Sequence, residues 1–131
     1  METAMAKSAK DMVAAANSNV ETLTPEAAIA RANQTGAVLV DVRETEEVRK
    51  TGKLKGALHA PRGFLEFHAD PNSPNHLPAL SSGKPLILYC ASGNRSALAA
   101  ATLKGMDVPK VAHVAGGFAA LKNAGADTEE V

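Results

Sequence analysis

The sequence predicts an α/β domain built on a central, mostly parallel sheet with helices on both faces. Three observations carry this reading. From residue 20 onward, apolar runs of strand length alternate with helical patterns, the order that builds parallel sheets. The strongest run, Pro85-Leu86-Ile87-Leu88-Tyr89, is apolar on consecutive positions, as a strand covered on both faces requires. The chain is 45% hydrophobic, with 26 alanines against four aromatic residues (Phe64, Phe67, Tyr89, Phe118). Its core is therefore aliphatic, and its helices approach through small side chains. A chain of 131 residues suits one domain around one core.

The elements follow in order. Lys7–Ala16 is alanine-rich and reads as an appended helix ending near Asn17-Ser18-Asn19. A loosely docked extension and a partner-binding role are both open for it. The expected division is an N-terminal extension over residues 1–18 and a single domain over 19–131. Thr24-Pro25-Glu26 starts a helix, with Thr24 as N-cap, Pro25 in the first position and Glu26 at the positive end of the dipole; Gly36 ends it. Ala37–Val40 is a strand running into Asp41-Val42-Arg43. Glu44–Lys50 is a charged helix closed by Gly52, and Ala57–Ala60 a short strand. Pro61 to Pro85 holds prolines 61, 71, 74, 78 and 85 and reads as irregular apart from one short helix over Arg62–Ala69. Ser96–Lys104 is a helix ended by Gly105. Val111–Val114 is a strand, Gly116-Gly117 a tight turn, and Phe118–Asn123 a last helix capped by Gly125.

Several function classes recede at this level. Fourteen Lys+Arg balance fourteen Asp+Glu, which argues against electrostatic capture of nucleic acid or anionic membrane. The absence of tryptophan removes the best base-stacking platform. No apolar run approaches the roughly 20 residues of a membrane span, and the first eleven residues lack the apolar core of a signal peptide. Cytoplasm is the expected location. A single cysteine, Cys90, excludes an internal disulfide framework and a multi-thiolate zinc site. His59, His68, His76 and His113 make no close-spaced ligand pair, so no metal is expected, and they read as ordinary core or surface residues. No glycine-rich nucleotide loop is present, and no cofactor is expected.

In parallel sheets, ligands bind beyond the carboxyl ends of the strands. Two strands leave polar residues there: Asp41-Val42-Arg43-Glu44, and Cys90-Ala91-Ser92-Gly93-Asn94-Arg95-Ser96. In the second, a thiol ends a buried strand and a short polar loop with a central glycine enters a helix. Gly93 lets the backbone curl with positive φ. Successive amide N–H groups then converge on one point and the helix N-terminus adds partial positive charge. Arg95 adds a full one. Such a cradle lowers a thiol pKa from about 8.5 into the range of reactive thiolates.

The stretch from Tyr89 to Ser96 resembles the active-site loop of rhodanese-like sulfurtransferases. Three further stretches agree in order and spacing. Val38–Arg43 with Glu47 is similar to the family's first signature. Thr51–Ala57 stands where the family usually has Gly-His-Ile-Pro-Gly-Ala. Val114 to Gly125 resembles its closing glycine pair and helix. The likeness spans roughly residues 20–126 and implies the rhodanese-like three-layer fold, with a central, mostly parallel sheet of about five strands and helices on both faces. Departures accompany it. Ala91 stands where many members carry arginine, Lys53 and Lys55 replace the usual His and Pro, and Leu121 stands where Trp is common. Ala91 removes a positive charge over the thiosulfate pocket, which Arg62, Lys53 or Lys55 would have to replace; solvated surface is the plainer reading of all three.

The resemblance implies a double displacement. Cys90 thiolate takes the outer sulfur of a donor such as thiosulfate, becomes a persulfide, and passes that sulfur to cyanide, a thiol or a sulfur-accepting protein. The loop from Ala91 to Ser96 would bind the anionic sulfur, with Asp41, Arg43 and Glu47 supporting it. Two rivals remain. One is a phosphatase or arsenate reductase on the same fold, disfavoured because Cys90 and Arg95 form Cys-x4-Arg where such phosphatases use Cys-x5-Arg. The other is a sulfur carrier loaded by a partner protein.

Overall fold

Seven strands form in the computed structural model, which describes residues 7–131. In chain order they are Glu21–Leu23 (β1), Val38–Asp41 (β2), Lys53–Leu54 (β3), Leu58–His59 (β4), Leu86–Tyr89 (β5), Val111–Val114 (β6) and Thr128–Glu129 (β7). Six α-helices join them: Ala9–Asn19 (α1), Pro25–Thr35 (α2), Thr45–Thr51 (α3), Leu65–Ala69 (α4), Asn94–Gly105 (α5) and Gly117–Asn123 (α6). Five strands make one sheet in the order β1-β6-β5-β2-β4, and every pairing in it is parallel. The predicted α/β class, parallel sheet and two helical layers are all present.

The sheet's interior follows the two-residue period of a pleated strand. On β5, Leu86 and Leu88, with Cys90 just beyond, join Leu65, Ala69, Ala99, Ala100 and Leu103 from α4 and α5. Ile87 and Tyr89 point the other way, onto Ala28, Phe118 and Leu121 from α2 and α6. Each fully buried leucine or isoleucine contributes about 1.5–3 kcal/mol, and β5 is buried along its whole length. The buried face of α5 is mainly Ser96, Ala97, Ala99 and Ala100, so the helix lies close on the sheet. Thr24 caps α2 by accepting from the Ala27 amide, and Gly36 ends it in the left-handed region.

Four features depart from the sequence reading. β1 was not predicted, because two of its three residues are exposed and no alternation marks it; pairing with β6 creates it. The antiparallel pair β3 and β7 was missed for the same reason, each strand being two residues long. The segment Arg62–Ala69 divides into a 3-10 turn over Arg62–Phe64 and then α4. Helix α5 starts two residues before the predicted Ser96, because Gly93 already turns the chain.

The extension falls partly outside the described residues, which begin at Lys7. From Ala9 it is helical, and α1 is docked on α5 rather than loose. Ser8 caps it, Ala16 is buried, and the Lys104 ammonium bonds to the Asn19 carbonyl. No helix among the described residues is long and apolar enough to cross a membrane.

From β2 the chain moves outward to β4, then returns through β5 towards β6. The direction therefore reverses between β2 and β5, where parallel sheets open a crevice at their carboxyl ends. Both polar stretches singled out in the sequence begin there.

Candidate active site

Cys90 is the first residue after β5, and Gly93 is the cap from which α5 departs. Between them the loop curls around the sulfur. Cys90 Sγ accepts the Gly93 amide at 3.1 Å and the Ser96 amide at 3.3 Å, and the Ser96 hydroxyl stands 3.6 Å away. Gly93 makes this possible with φ at 108°, a value costly for a residue with a Cβ.

The thiol pKa reflects two opposed effects. Burial pushes it up; the donors on Ser96, Gly93 and Ser92 outweigh this and hold it below the ordinary thiol value. Donors of this kind favour the ionised form over the neutral thiol. The residue is 1% exposed.

The base of the loop is fixed from α6. The Phe118 amide donates to the Cys90 carbonyl at 2.8 Å. That close approach requires Gly117, whose φ is 63° and whose hypothetical Cβ would sit 2.4 Å from the Cys90 carbonyl oxygen. The glycine pair is thus a seat for the cysteine loop as well as a turn.

Of the expected anion-binding residues, Gly93 and Ser96 face inward and are buried. Ala91, Ser92 and Asn94 lie exposed on the rim. Arg95 is half-exposed and makes a two-pronged ion pair with Glu47 at 2.7 and 2.8 Å. Glu47 also accepts the Glu44 amide in the capping box of α3, so the arginine is anchored to a fixed carboxylate.

The Arg95 bonds, with the Glu44 amide assisting against burial, hold Glu47 at about 2. Because the folded value is depressed, the pair stabilises the protein fully above the ordinary carboxylate range. It is lost as pH falls from about 4.5 to about 2. Side-chain exposures of 35% and 38% mean solvent screening limits its worth to about 1 kcal/mol or less. Glu47→Gln is therefore expected to leave urea stability nearly unchanged at pH 7 and to flatten its decline below pH 4.5. An identical acid limb in both proteins would refute this.

Asp41 and Arg43 form a separate unit. Asp41 at the end of β2 is fully buried, and Arg43 is 2% exposed. The guanidinium bonds Asp41 through Nε and Nη2, Thr51 through Nη1 and the Gly52 carbonyl through Nη2. It also lies 4.1 Å over the Phe118 ring. These groups clamp β2 to the end of α3 beside the loop. Glu47 reaches the loop directly through Arg95; Asp41 reaches it through Arg43, Phe118 and the Phe118 amide.

Of the three cations that could replace a charge at position 91, Lys53 and Arg62 are engaged elsewhere. Lys53 pairs with Glu129 of β7. Arg62 bonds Glu66 and Thr102. Lys55 borders a groove with Ile29, Leu39 and Leu121.

One residue of the site was missed. His113, read from sequence as an ordinary histidine, is buried in β6 with Nδ1 3.0 Å from Ser96 Oγ. The available signal was its position, a polar side chain inside the otherwise apolar run Val111-Ala112-His113-Val114.

Fold and site together define a thiol-centred α/β domain whose cysteine loop wraps one sulfur at a sheet's switch point. A family model described as Rhodanese-like domain matches residues 24–124. The chain belongs to that family.

Among related proteins, thiosulfate sulfurtransferase GlpE of Pseudomonas putida is 32% identical over 101 residues, covering 77% of this chain and 84% of its own. A Rhodopseudomonas palustris protein of unknown function, described as a possible tyrosine phosphatase, superposes with TM-score 0.90 and 41% identity, over 98% of this chain and 99% of its own. The homodimeric polysulfide-sulfur transferase of Wolinella succinogenes superposes with TM-score 0.70 and 26% identity, over 93% and 87%. The chain spans 60% of the length of an uncharacterized Synechocystis protein and 38% of that of YrkF from Bacillus subtilis, which carries a sulfur-carrier designation; it is 34% identical to each.

Proposed function

We propose that this chain is a sulfurtransferase that carries a sulfane sulfur as a Cys90 persulfide. The observation that carries the reading is the convergence of the Gly93 and Ser96 amides and the Ser96 hydroxyl on one sulfur. Cys90 thiolate attacks the outer sulfur of thiosulfate or a related donor. An S–S bond forms, the bond to the sulfonate sulfur breaks, and sulfite leaves with the electron pair. Cyanide, a thiolate or a protein acceptor then attacks the terminal sulfur and regenerates Cys90 thiolate. No general base is needed in either displacement, only thiolate and access. The loop donors stabilise the terminal anionic sulfur as they stabilise the thiolate. Ala91, exposed and uncharged, leaves the mouth open to a protein-borne donor as well. A lone thiol suits the reducing cytoplasm, where we place the protein.

The Rhodopseudomonas likeness raises phosphoryl transfer as a second reading. Two observations weigh against it. The Cys-x4-Arg loop is one residue short of the phosphatase spacing, and Arg95 gives both terminal nitrogens to Glu47 instead of turning them to an anion. A sulfur exposed this little accepts a terminal sulfur atom more readily than the face of a tetrahedral phosphoryl group.

Intact-mass analysis after thiosulfate treatment tests the proposal. The expected result is a gain of one sulfur atom, removed by cyanide. Loading only by a partner protein would make the chain a carrier. No loading by thiosulfate, polysulfide or protein persulfide would overturn the reading, and Cys90-dependent hydrolysis of an aryl phosphate would replace it.

A further inference from the structure

His113 is a buried titratable residue that the sulfur-transfer chemistry above does not use. It lies on the same face of the sheet as Cys90, and polar contacts run through it from the thiol to the N-terminal helix. Cys90 Sγ is 3.6 Å from Ser96 Oγ, and Ser96 Oγ is 3.0 Å from His113 Nδ1. His113 Nε2 is 2.8 Å from Asn17 Oδ1, with Thr22 Oγ1 at 3.1 Å. The amide oxygen of Asn17 only accepts, so it assigns the proton to Nε2 in the neutral ring. Nδ1 then carries the lone pair and faces the serine hydroxyl.

We propose that His113 is the proton acceptor for Cys90, acting through Ser96, with Asn17 of α1 as the residue that fixes its tautomer. The inference rests on Cys90 working as a thiolate, and it deepens the reading of that same site. The Sγ–H proton passes to Ser96 Oγ as the serine's own proton passes to His113 Nδ1. Serine is unchanged, the thiol becomes thiolate, and the imidazole becomes imidazolium. In the product state Nδ1–H donates to Ser96 Oγ, and the serine hydroxyl turns to donate to the sulfur. The hydroxyl thus accepts from the thiol or donates to the thiolate according to the state of the ring. His113 touches no reacting atom and is a positioning residue. Burial holds the ring below its ordinary pKa, which favours the neutral form.

Charged and titratable groups on the elements packed around His113 are directed elsewhere. Glu21 of β1 pairs with Arg31, Lys104 of α5 with the Asn19 carbonyl, and Arg95 with Glu47. On β5, the Tyr89 hydroxyl accepts the Leu54 amide. On α1, Lys10 and Asp11 stand in the first turn, at the far end of the helix from Asn17. Cys90 is the titratable group that the serine links to the ring. The docking of α1, which completes this chain of contacts, therefore bears on thiol reactivity as well as stability.

The test is the pH dependence of Cys90 alkylation by iodoacetamide in the full chain, whose lone cysteine makes the rate unambiguous. His113→Gln is expected to slow alkylation at pH 7 about tenfold, the worth of one hydrogen bond to a charged group, with rates converging at alkaline pH. Asn17→Leu, a milder change at the surface of α1, is expected to shift the profile in the same direction by less. Nitrogen NMR of the wild-type ring should show Nε2 protonated, with a titration that changes when Cys90 is alkylated. Superimposable pH profiles, or a ring protonated at Nδ1 in the resting protein, would overturn the relay. These readouts do not involve sulfur transfer: a protein with the shifted profile that never gains sulfur would sink the proposed function and leave the relay standing.

Discussion

Cys90→Ser is expected to reduce sulfur loading from thiosulfate to zero and sulfur transfer to background, while the protein stays folded. The two halves of this expectation have separate causes. A serine hydroxyl does not ionise in the accessible pH range, and the amide donors that favour a thiolate cannot close that gap. No oxygen analogue of the persulfide then accumulates. Structurally the substitution is mild. Oγ can accept the same Gly93 and Ser96 amides that Sγ accepts now, and the side chain shrinks by a fraction of a methyl group. A stability change of about 1 kcal/mol is expected.

Intact mass, a transfer assay and urea denaturation of the same sample check both halves. Sulfur retained on the serine protein, at any residue, would remove Cys90 from the mechanism. Loss of folding would show instead that the thiol's packing, and not its chemistry, is what the site requires. The control matters because Cys90 belongs to the hydrophobic cluster under α5 as well as to the loop.

The parts of this molecule that were legible in the sequence are those encoded locally. β5 announces itself by four consecutive apolar residues, α2 by Thr24-Pro25, and the cysteine loop by the adjacency of Cys90, Gly93 and Ser96, because the atoms that meet there are within six residues of one another. What was not legible depends on distant pairing. β1 is a strand only because β6 lies beside it, and β3 because β7 returns 75 residues later. His113 joins the site because parallel β5 and β6 place it across from Leu88, two residues before the thiol. The role of Gly117 was half visible: its turn is local, but the carbonyl that forbids a Cβ there belongs to Cys90. Glu47 and Arg95 are 48 residues apart, and only the family resemblance linked them beforehand.

Arg43→Met is expected to destabilise the protein by about 3–5 kcal/mol, the cost of removing one partner from a buried ion pair. Asp41 has no exposure at all. It accepts from the Arg43 amide, Nε and Nη2, and of these donors only the amide remains without the guanidinium. The Gly52 carbonyl and the Thr51 hydroxyl lose a donor at the same time, and the Phe118 ring loses the cation stacked on it. Methionine restores volume but none of these bonds.

Against a typical stability of about 5–15 kcal/mol, a loss of this size lowers the urea midpoint by about 2 M. Replacing both partners, as Asp41→Leu with Arg43→Met, should recover part of it, since no charge is then stranded. The expected consequence reaches the active site, because Phe118 is the residue whose amide bonds to the Cys90 carbonyl. At urea concentrations well below the midpoint, the Arg43→Met protein should alkylate at Cys90 with a weaker pH dependence than wild type. An unchanged midpoint would mean that another donor takes the place of the guanidinium at Asp41. In that case the clamp between β2 and α3 would have to be sought in the backbone alone.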